Sequence, residues 1–283
     1  MSAQPKRQPA IFLPHGGGPC FFMDWSWGPA DTWKATEGFL KSLPALLPEP
    51  PKAMVVISAH WEEMAFTASA AVQPELIYDY SGFPAHTYQL TWPAPGEPAL
   101  AGRVVDLLTK AGLPAVASYR GFDHGVFIPM KVAFPEAVIP TVSLSLAVSA
   151  AGNFDPEVHL AAGRALAALR DEGILIVASG MSFHNLRGYF QPQTLERSRE
   201  FDNWLTAAVE SPAVERNRLL AKWAEAPSAR YAHPREEHLI PLLVAAGAGG
   251  DAAGHRLFYD EPMGAALSAY VFGDHGRLGG SRA

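Results

Sequence analysis

The sequence predicts a single α/β domain with a central, mostly parallel sheet flanked by helices and a metal site at the carboxyl ends of the strands. Three observations point there. Short, continuously apolar runs rich in β-branched residues, such as 54–57, suit strands buried on both faces. Longer stretches of helical periodicity separate these runs. Three of them lead into a histidine: Ile11-Phe-Leu-Pro-His15, the run ending Ser58-Ala-His60, and Ile174-Leu-Ile-Val-Ala-Ser-Gly-Met-Ser-Phe-His184. Ligands of open α/β sheets bind just beyond the carboxyl ends of strands.

Taken in order, residues 1–8 are polar and read as a flexible end without the apolar core of a signal peptide. After the strand at 11–14, Gly16-Gly-Gly18 allows a sharp turn and close approach of the backbone to a bound group. It is not a phosphate loop, having neither a Gly-Lys-Ser/Thr ending nor GxGxxG spacing. Residues 30–47 carry a helical apolar pattern despite Pro44, and the proline-rich 48–51 resets the chain for the strand at 54–57. A strand is expected over 66–72. The aromatic and turn-rich 78–92 reads as a long ordered loop, its rings either lining the site or packing the loop to the body.

A helix over 97–111 with Pro98 in its first turn, a strand at 115–119, a turn at 121–125 and a short helix at 126–134 follow. A strand at 140–146 precedes a helix at 157–170 that Gly173 terminates, then the strand at 174–178. Helices at 195–209, 214–224 and 234–248 come next, Pro234 standing where a first helical residue belongs. Strands at 255–259 and 267–272 close the domain, and the tail from 276 reads as frayed. No internal repeat or shift in composition marks a linker, so 1–283 reads as one domain.

Composition narrows the function. A hydrophobic fraction of 48% with 18% charged residues describes a well-cored protein. The net charge of −6 offers no basic stripe to neutralise phosphates, against nucleic acid as a partner. Cys20 is the only cysteine, leaving no disulfide framework and no thiolate metal site. No apolar run approaches the roughly 20 residues that span a bilayer, so no membrane partner is expected and the cytoplasm is the default location.

Chemistry concentrates in the ten histidines. His15, His60 and His184 follow strands, and His238 lies early in the helix expected after Pro234. No HExxH pairing is present, so a metal site would be assembled from separate segments. Neutral imidazoles suit Fe, Zn, Cu or Ni, and three protein ligands with open positions support catalysis. A non-ligating histidine beside the ion can carry protons at neutral pH. His124 and His184 are candidates, with Asp123 and Asn185 as neighbours able to orient their rings. His86 and His233 are ambiguous, while His159, His255 and His275 read as surface residues.

With these residues in place, the chain resembles the class III (LigB-type) extradiol ring-cleavage dioxygenases, in the 4,5-DOPA dioxygenase-like branch. The motifs are Leu13-Pro-His-Gly16, Ser58-Ala-His-Trp61, Gly82-Phe-Pro84, Tyr88 with Trp92-Pro-Ala-Pro-Gly96, Gly121-Phe-Asp-His-Gly125, Ser179-Gly-Met-Ser-Phe-His-Asn-Leu186 and His233-Pro-Arg-Glu-Glu-His-Leu-Ile-Pro-Leu-Leu243. The resemblance implies a non-haem Fe(II), a small aromatic diol of the catechol type and O2, with both oxygen atoms entering the ring-opened product. It implies His15, His60 and His238 as metal ligands, His184 as acid/base and His124 as a pocket histidine. Glu237 is the alternative third ligand, which would restore the two-histidine, one-carboxylate triad. Phe83, Tyr88, Trp92 and His233 are the expected substrate-binding residues. Three imidazoles would also accept Zn(II), so a zinc-dependent hydrolase and a catalytically silent metal-binding protein on the same fold are the competing readings. A homodimer is the default assembly.

Overall fold

A computed structural model describes residues 6–273. All eight expected strands are present: β1 (Ala10–Pro14), β2 (Ala53–Glu63), β3 (Phe66–Ser69), β4 (Ala115–Ser118), β5 (Thr141–Ala147), β6 (Ile174–Gly180), β7 (Gly254–Asp260) and β8 (Leu267–Phe272). They form one sheet in the order β4-β3-β5-β2-β6-β1-β8-β7. The central strands β5, β2, β6 and β1 run parallel, as do β3 and β4. The antiparallel pairings join β3 to β5, β1 to β8 and β7 to β8.

Helices cover both faces: α1 (Lys34–Leu46), α2 (Pro98–Lys110), α3 (His124–Ala133), α4 (Pro156–Leu166), α5 (Thr194–Glu210), α6 (Ala213–Ala221), α7 (Ala229–Ala232) and α8 (Ile240–Gly249). The two-residue period of a strand divides the core. Val55 and Ile57 of β2 join Phe12 and the apolar sides of α2, α4, α5 and α8 on one face. Met54 and Val56 join Ile11, Leu13, α1 and α3 on the other. Strands buried on both faces need apolar residues at every position, which is why the central runs lack a polar alternation. Every residue of α8 is buried, matching its sequence, which is apolar all round.

Several boundaries differ from expectation. β2 does not stop at Ile57; it continues through His60 to Glu63, with its register against β5 shifting between Ile57 and Glu62. Such an irregularity re-aims side chains beside a site. β3 ends at Ser69, short of residue 72. α3 begins at His124, inside the expected turn. α4 ends at Leu166, and a 3₁₀ segment, Ala167–Glu172, carries the chain to Gly173 at φ 85. α6 ends at Ala221 and is followed by a short 3₁₀ turn, Trp223–Glu225.

The largest difference concerns Pro234. α8 begins at Ile240, with Pro241 in its first turn, so His238 lies in the turn before the helix. The His238 carbonyl is engaged by the Met181 N–H at 2.9 Å, just past β6, and is not spent on a helical hydrogen bond. The amino end is also better anchored than expected: Gln8 is buried, and its N–H donates to the Arg170 carbonyl at 3.0 Å. The tail from residue 276, with His275, lies outside the described residues. His159 is not a surface residue; its buried ring accepts the Ala147 N–H and donates to the Asp155 carbonyl.

Candidate metal centre

Strand order creates the site. β6 lies between β2 and β1, so His60 on β2 and the residue after β1, His15, flank its carboxyl end. Just past β6 the chain pairs with the 233–239 segment, which brings in His238. Gly180 makes that approach possible, because a Cβ there would fall on the His238 carbonyl oxygen. Gly125 does the same for α3: a Cβ would lie 2.6 Å from Ser58 Oγ and 2.9 Å from a His60 ring carbon.

Three imidazole nitrogens converge as a result. His60 Nε2 lies 3.2 Å from His15 Nε2 and 3.2 Å from His238 Nε2. His15 Nδ1 is 2.8 Å from the Gly16 carbonyl, and His238 Nδ1 is 2.9 Å from Glu237 Oε1. Both partners accept only, so each Nδ1 carries the proton and each Nε2 presents a lone pair. Burial, reinforced by the neighbouring imidazoles, holds His15 and His238 well below the ordinary histidine pKa. Burial foremost, with the neighbouring His124 adding to it, brings His60 down to about 3. Neutral imidazoles whose lone pairs face one another repel unless they share a cation. Two nitrogens each ~2.1 Å from one ion stand about 3.2 Å apart when the angle between them is about 100°. The donor set therefore fits a nitrogen-preferring divalent ion.

Carboxylates stand behind these rings. Asp79 Oδ1 accepts both the backbone N–H and the Nδ1–H of His124, at 2.9 Å each, while its Oδ2 lies 3.7 Å from His60 Nδ1. Burial opposes ionisation of Asp79, yet these hydrogen bonds hold its carboxyl below the usual range. Glu237 Oε1 faces His238 Nδ1 and also lies 3.3 Å from His184 Nδ1. Burial opposes its ionisation too, and the hydrogen bond from His184 prevails, lowering its pKa. The His184 and His238 rings stack with centroids 3.4 Å apart. Three overlapping groups could hold an ion: His15 with His60 and His238, His60 with Asp79 and His124, and His184 with Glu237 and His238. Only the first presents three Nε2 atoms to one another; in the other two a carboxylate already accepts a ring N–H.

The orienting partners are not those expected. Asp123 accepts the Ser58 hydroxyl at 2.6 Å and pairs with Arg120, so it braces β2 against α3 rather than turning the His124 ring. Burial raises the Asp123 pKa, an effect that the Ser58 bond opposes. Asn185 donates to the Tyr231 carbonyl and accepts from the Gly188 N–H, away from the His184 ring. Asp79 is a site residue that no motif in the sequence singles out. Its only signal is a carboxylate amid the tyrosines of Tyr78-Asp-Tyr80.

His15, His60, His124, His184 and His238 all line one cavity of about 470 Å³, together with Gly16, Gly17, Gly18 and Phe83. The other expected contact residues lie apart from it. Tyr88 packs against Tyr80, and its hydroxyl accepts the Phe83 N–H. Trp92 is 1% exposed and donates its indole N–H to the Phe134 carbonyl within the core. His233 is fully buried, with Nε2 on the Ser182 carbonyl. His86 is exposed and reaches the Phe22 carbonyl. The tryptophans Trp25, Trp27 and Trp33, whose segment carried no motif, line the cavity instead. Among the described residues no helix is long and apolar enough to cross a membrane.

Relatives agree with this architecture. A solved structure of an uncharacterized protein from Escherichia coli K12 superposes with a TM-score of 0.73 at 30% identity, covering 94% of this chain and 100% of that one. The chain is 38% identical to "Dioxygenase tasH" of Hapsidospora irregularis over 94% of its own length and 85% of the relative's. It is 35% identical to "4,5-DOPA dioxygenase extradiol" of Beta vulgaris, covering 95% and 97% respectively, and of Escherichia coli K12, covering 86% and 85%. Residues 9–273 match the family described as the catalytic LigB subunit of aromatic ring-opening dioxygenase. With matching fold, length and relatives, the chain belongs to that family and is an extradiol ring-cleaving dioxygenase.

Proposed function

We propose that the protein opens the ring of a catechol beside its two hydroxyls, using Fe(II) held by His15, His60 and His238. The observation that carries this reading is the convergence of three neutral Nε2 atoms at the floor of an aromatic-walled cavity. Glu237 is the weaker candidate for third ligand, because it already accepts the His238 Nδ1–H. Bound there, Fe(II) supplies Lewis acidity toward the diol and electron transfer toward O2. Three imidazoles bring no negative charge, so the same set also accepts Zn(II), and activity is expected of the iron form alone.

The protein's own groups move protons around that centre. His184 has Glu237 behind Nδ1, which leaves Nε2 to take a proton from a diol hydroxyl. His124 has Asp79 behind Nδ1 and presents Nε2 to the same cavity. With a proton on Nε2, His124 donates a hydrogen bond to negative charge developing on the substrate's oxygen atoms. Stacking of His184 on His238 fixes its distance from the metal ligands. Trp25, Trp33 and Met181 surround the floor with apolar surface and limit water there.

The test is a panel of catechols offered to anaerobically Fe(II)-loaded protein and then exposed to air. Yellow ring-opened product should form with one O2 consumed per ring, and both atoms of labelled O2 should appear in it. Product formation that ignores O2 would replace this reading with a hydrolase.

A further inference from the structure

Ten large apolar side chains are notably exposed among the described residues, and three of them, Trp27 (57%), Leu186 (72%) and Phe190 (62%), line this one cavity. Apolar rims of this kind mark binding surfaces. Phe190 also holds a left-handed backbone, φ 64, which costs energy for a bulky residue and persists only where surroundings impose it. Trp27 lies 5.8 Å from the Phe83 ring, Phe83 5.5 Å from Tyr80 and Tyr80 5.7 Å from His124, so aromatic surface runs from the rim down to His124. Charge follows a complementary pattern. No lysine or arginine is among the described residues lining the cavity, and its only acidic lining residue is Asp79. An anionic substituent pointing out toward this rim would lose water against apolar side chains, with no lysine or arginine among the lining residues to replace it.

We infer that the preferred substrate is a catechol carrying an extended, uncharged aromatic or aliphatic substituent, which runs outward between Trp27, Leu186 and Phe190, and not one bearing a carboxylate. This rests on the ring-opening reading and adds the substituent's chemistry to it. The cavity of about 470 Å³ extends well beyond one diol ring. A second groove shares Phe190 and Met263 with it but is lined by Lys34, Asp31, Asp260 and Glu261, so the uncharged surface ends at that shared rim.

The test compares 4-phenylcatechol with 3,4-dihydroxyphenylacetate on Fe(II)-loaded protein. Dissociation constants come from quenching of tryptophan fluorescence without O2, and kcat/KM from turnover in air. The uncharged diol should bind at least about tenfold more tightly and react correspondingly faster. Leu186→Arg should shift the ratio of the two affinities about five- to tenfold toward the carboxylate. Phe190→Ala should weaken 4-phenylcatechol about tenfold while metal content and circular dichroism stay unchanged. Equal or tighter binding of the carboxylated diol, with ring opening intact, overturns the inference and leaves the ring-opening reading standing. If neither diol binds or reacts, both fall together.

Discussion

His60 Nε2 and His238 Nε2 lie 3.2 Å apart although 178 positions separate them in the chain. One sits in a central strand and the other in a turn beside the end of the neighbouring strand β6. Replacing His238 by Ala should abolish stoichiometric metal binding, whereas Glu237→Gln should weaken it about 10–100-fold through loss of an orienting bond. Metal analysis of dialysed protein distinguishes the two. Equal metal loss in both variants would make Glu237 a ligand.

Removing the proton acceptor should separate chemistry from binding. His184→Ala is expected to lower kcat about 10²–10⁴-fold with Fe(II) content preserved. Iron and activity falling in proportion would place His184 on the metal.

Gly180→Ala tests the seam between β6 and the 233–239 segment. The added methyl must displace the His238 backbone, so metal affinity should fall, with about 1–3 kcal/mol of stability lost. Urea unfolding in the presence and absence of metal measures both effects. A variant with unchanged affinity would show that the turn carrying His238 can relax.

Arg170 is 1% exposed and donates to the carbonyls of Gln8, Ala248 and Phe272 at 2.7, 2.6 and 3.2 Å. It joins the amino end, α8 and β8. Arg170→Ala should cost about 3–5 kcal/mol, because three buried carbonyls lose charged donors. Denaturant midpoints check this, and a loss under about 1 kcal/mol would show that water replaces the guanidinium.

Burial lowers the His159 pKa to about 4, against the upward pull of its bond to the Asp155 carbonyl. The unfolded chain therefore binds the proton more readily, so stability is full above pH ~6.5 and declines as pH falls toward 4, by about 3 kcal/mol in all. His159→Gln should flatten that part of the stability profile relative to the parent. An unchanged slope would mean that His159 titrates alike in both states.

What the sequence made legible was what depends on local pattern. Apolar runs located the central strands, and position after or within them singled out His15, His60 and His184. Partnerships across the fold were hidden. The natural neighbour of His124 in the chain is Asp123, but tertiary packing turns that carboxylate onto Ser58 and supplies Asp79 from 45 residues away. Pro234 looked like a helix start, yet the His238 carbonyl is drawn toward β6, and the helix waits for Pro241. Trp92 sits in a loop that does reach the cavity through Tyr80, Ser81 and Phe83, but its large ring is held in the core. Only packing could separate these aromatics, since each brings a large ring and no sign in the sequence of which way it turns.

Because His238 lies two residues before a helix enclosed on every side, synthesis imposes an order of assembly. A nascent chain still lacking α8 already possesses His15, His60 and the Met181 N–H that grips the His238 carbonyl, but not the helix that packs on β6 and β1 next to that turn. If His15, His60 and His238 hold the ion as proposed, tight capture waits until the chain has been made through residue 249, and a half-built centre is spared a reactive metal.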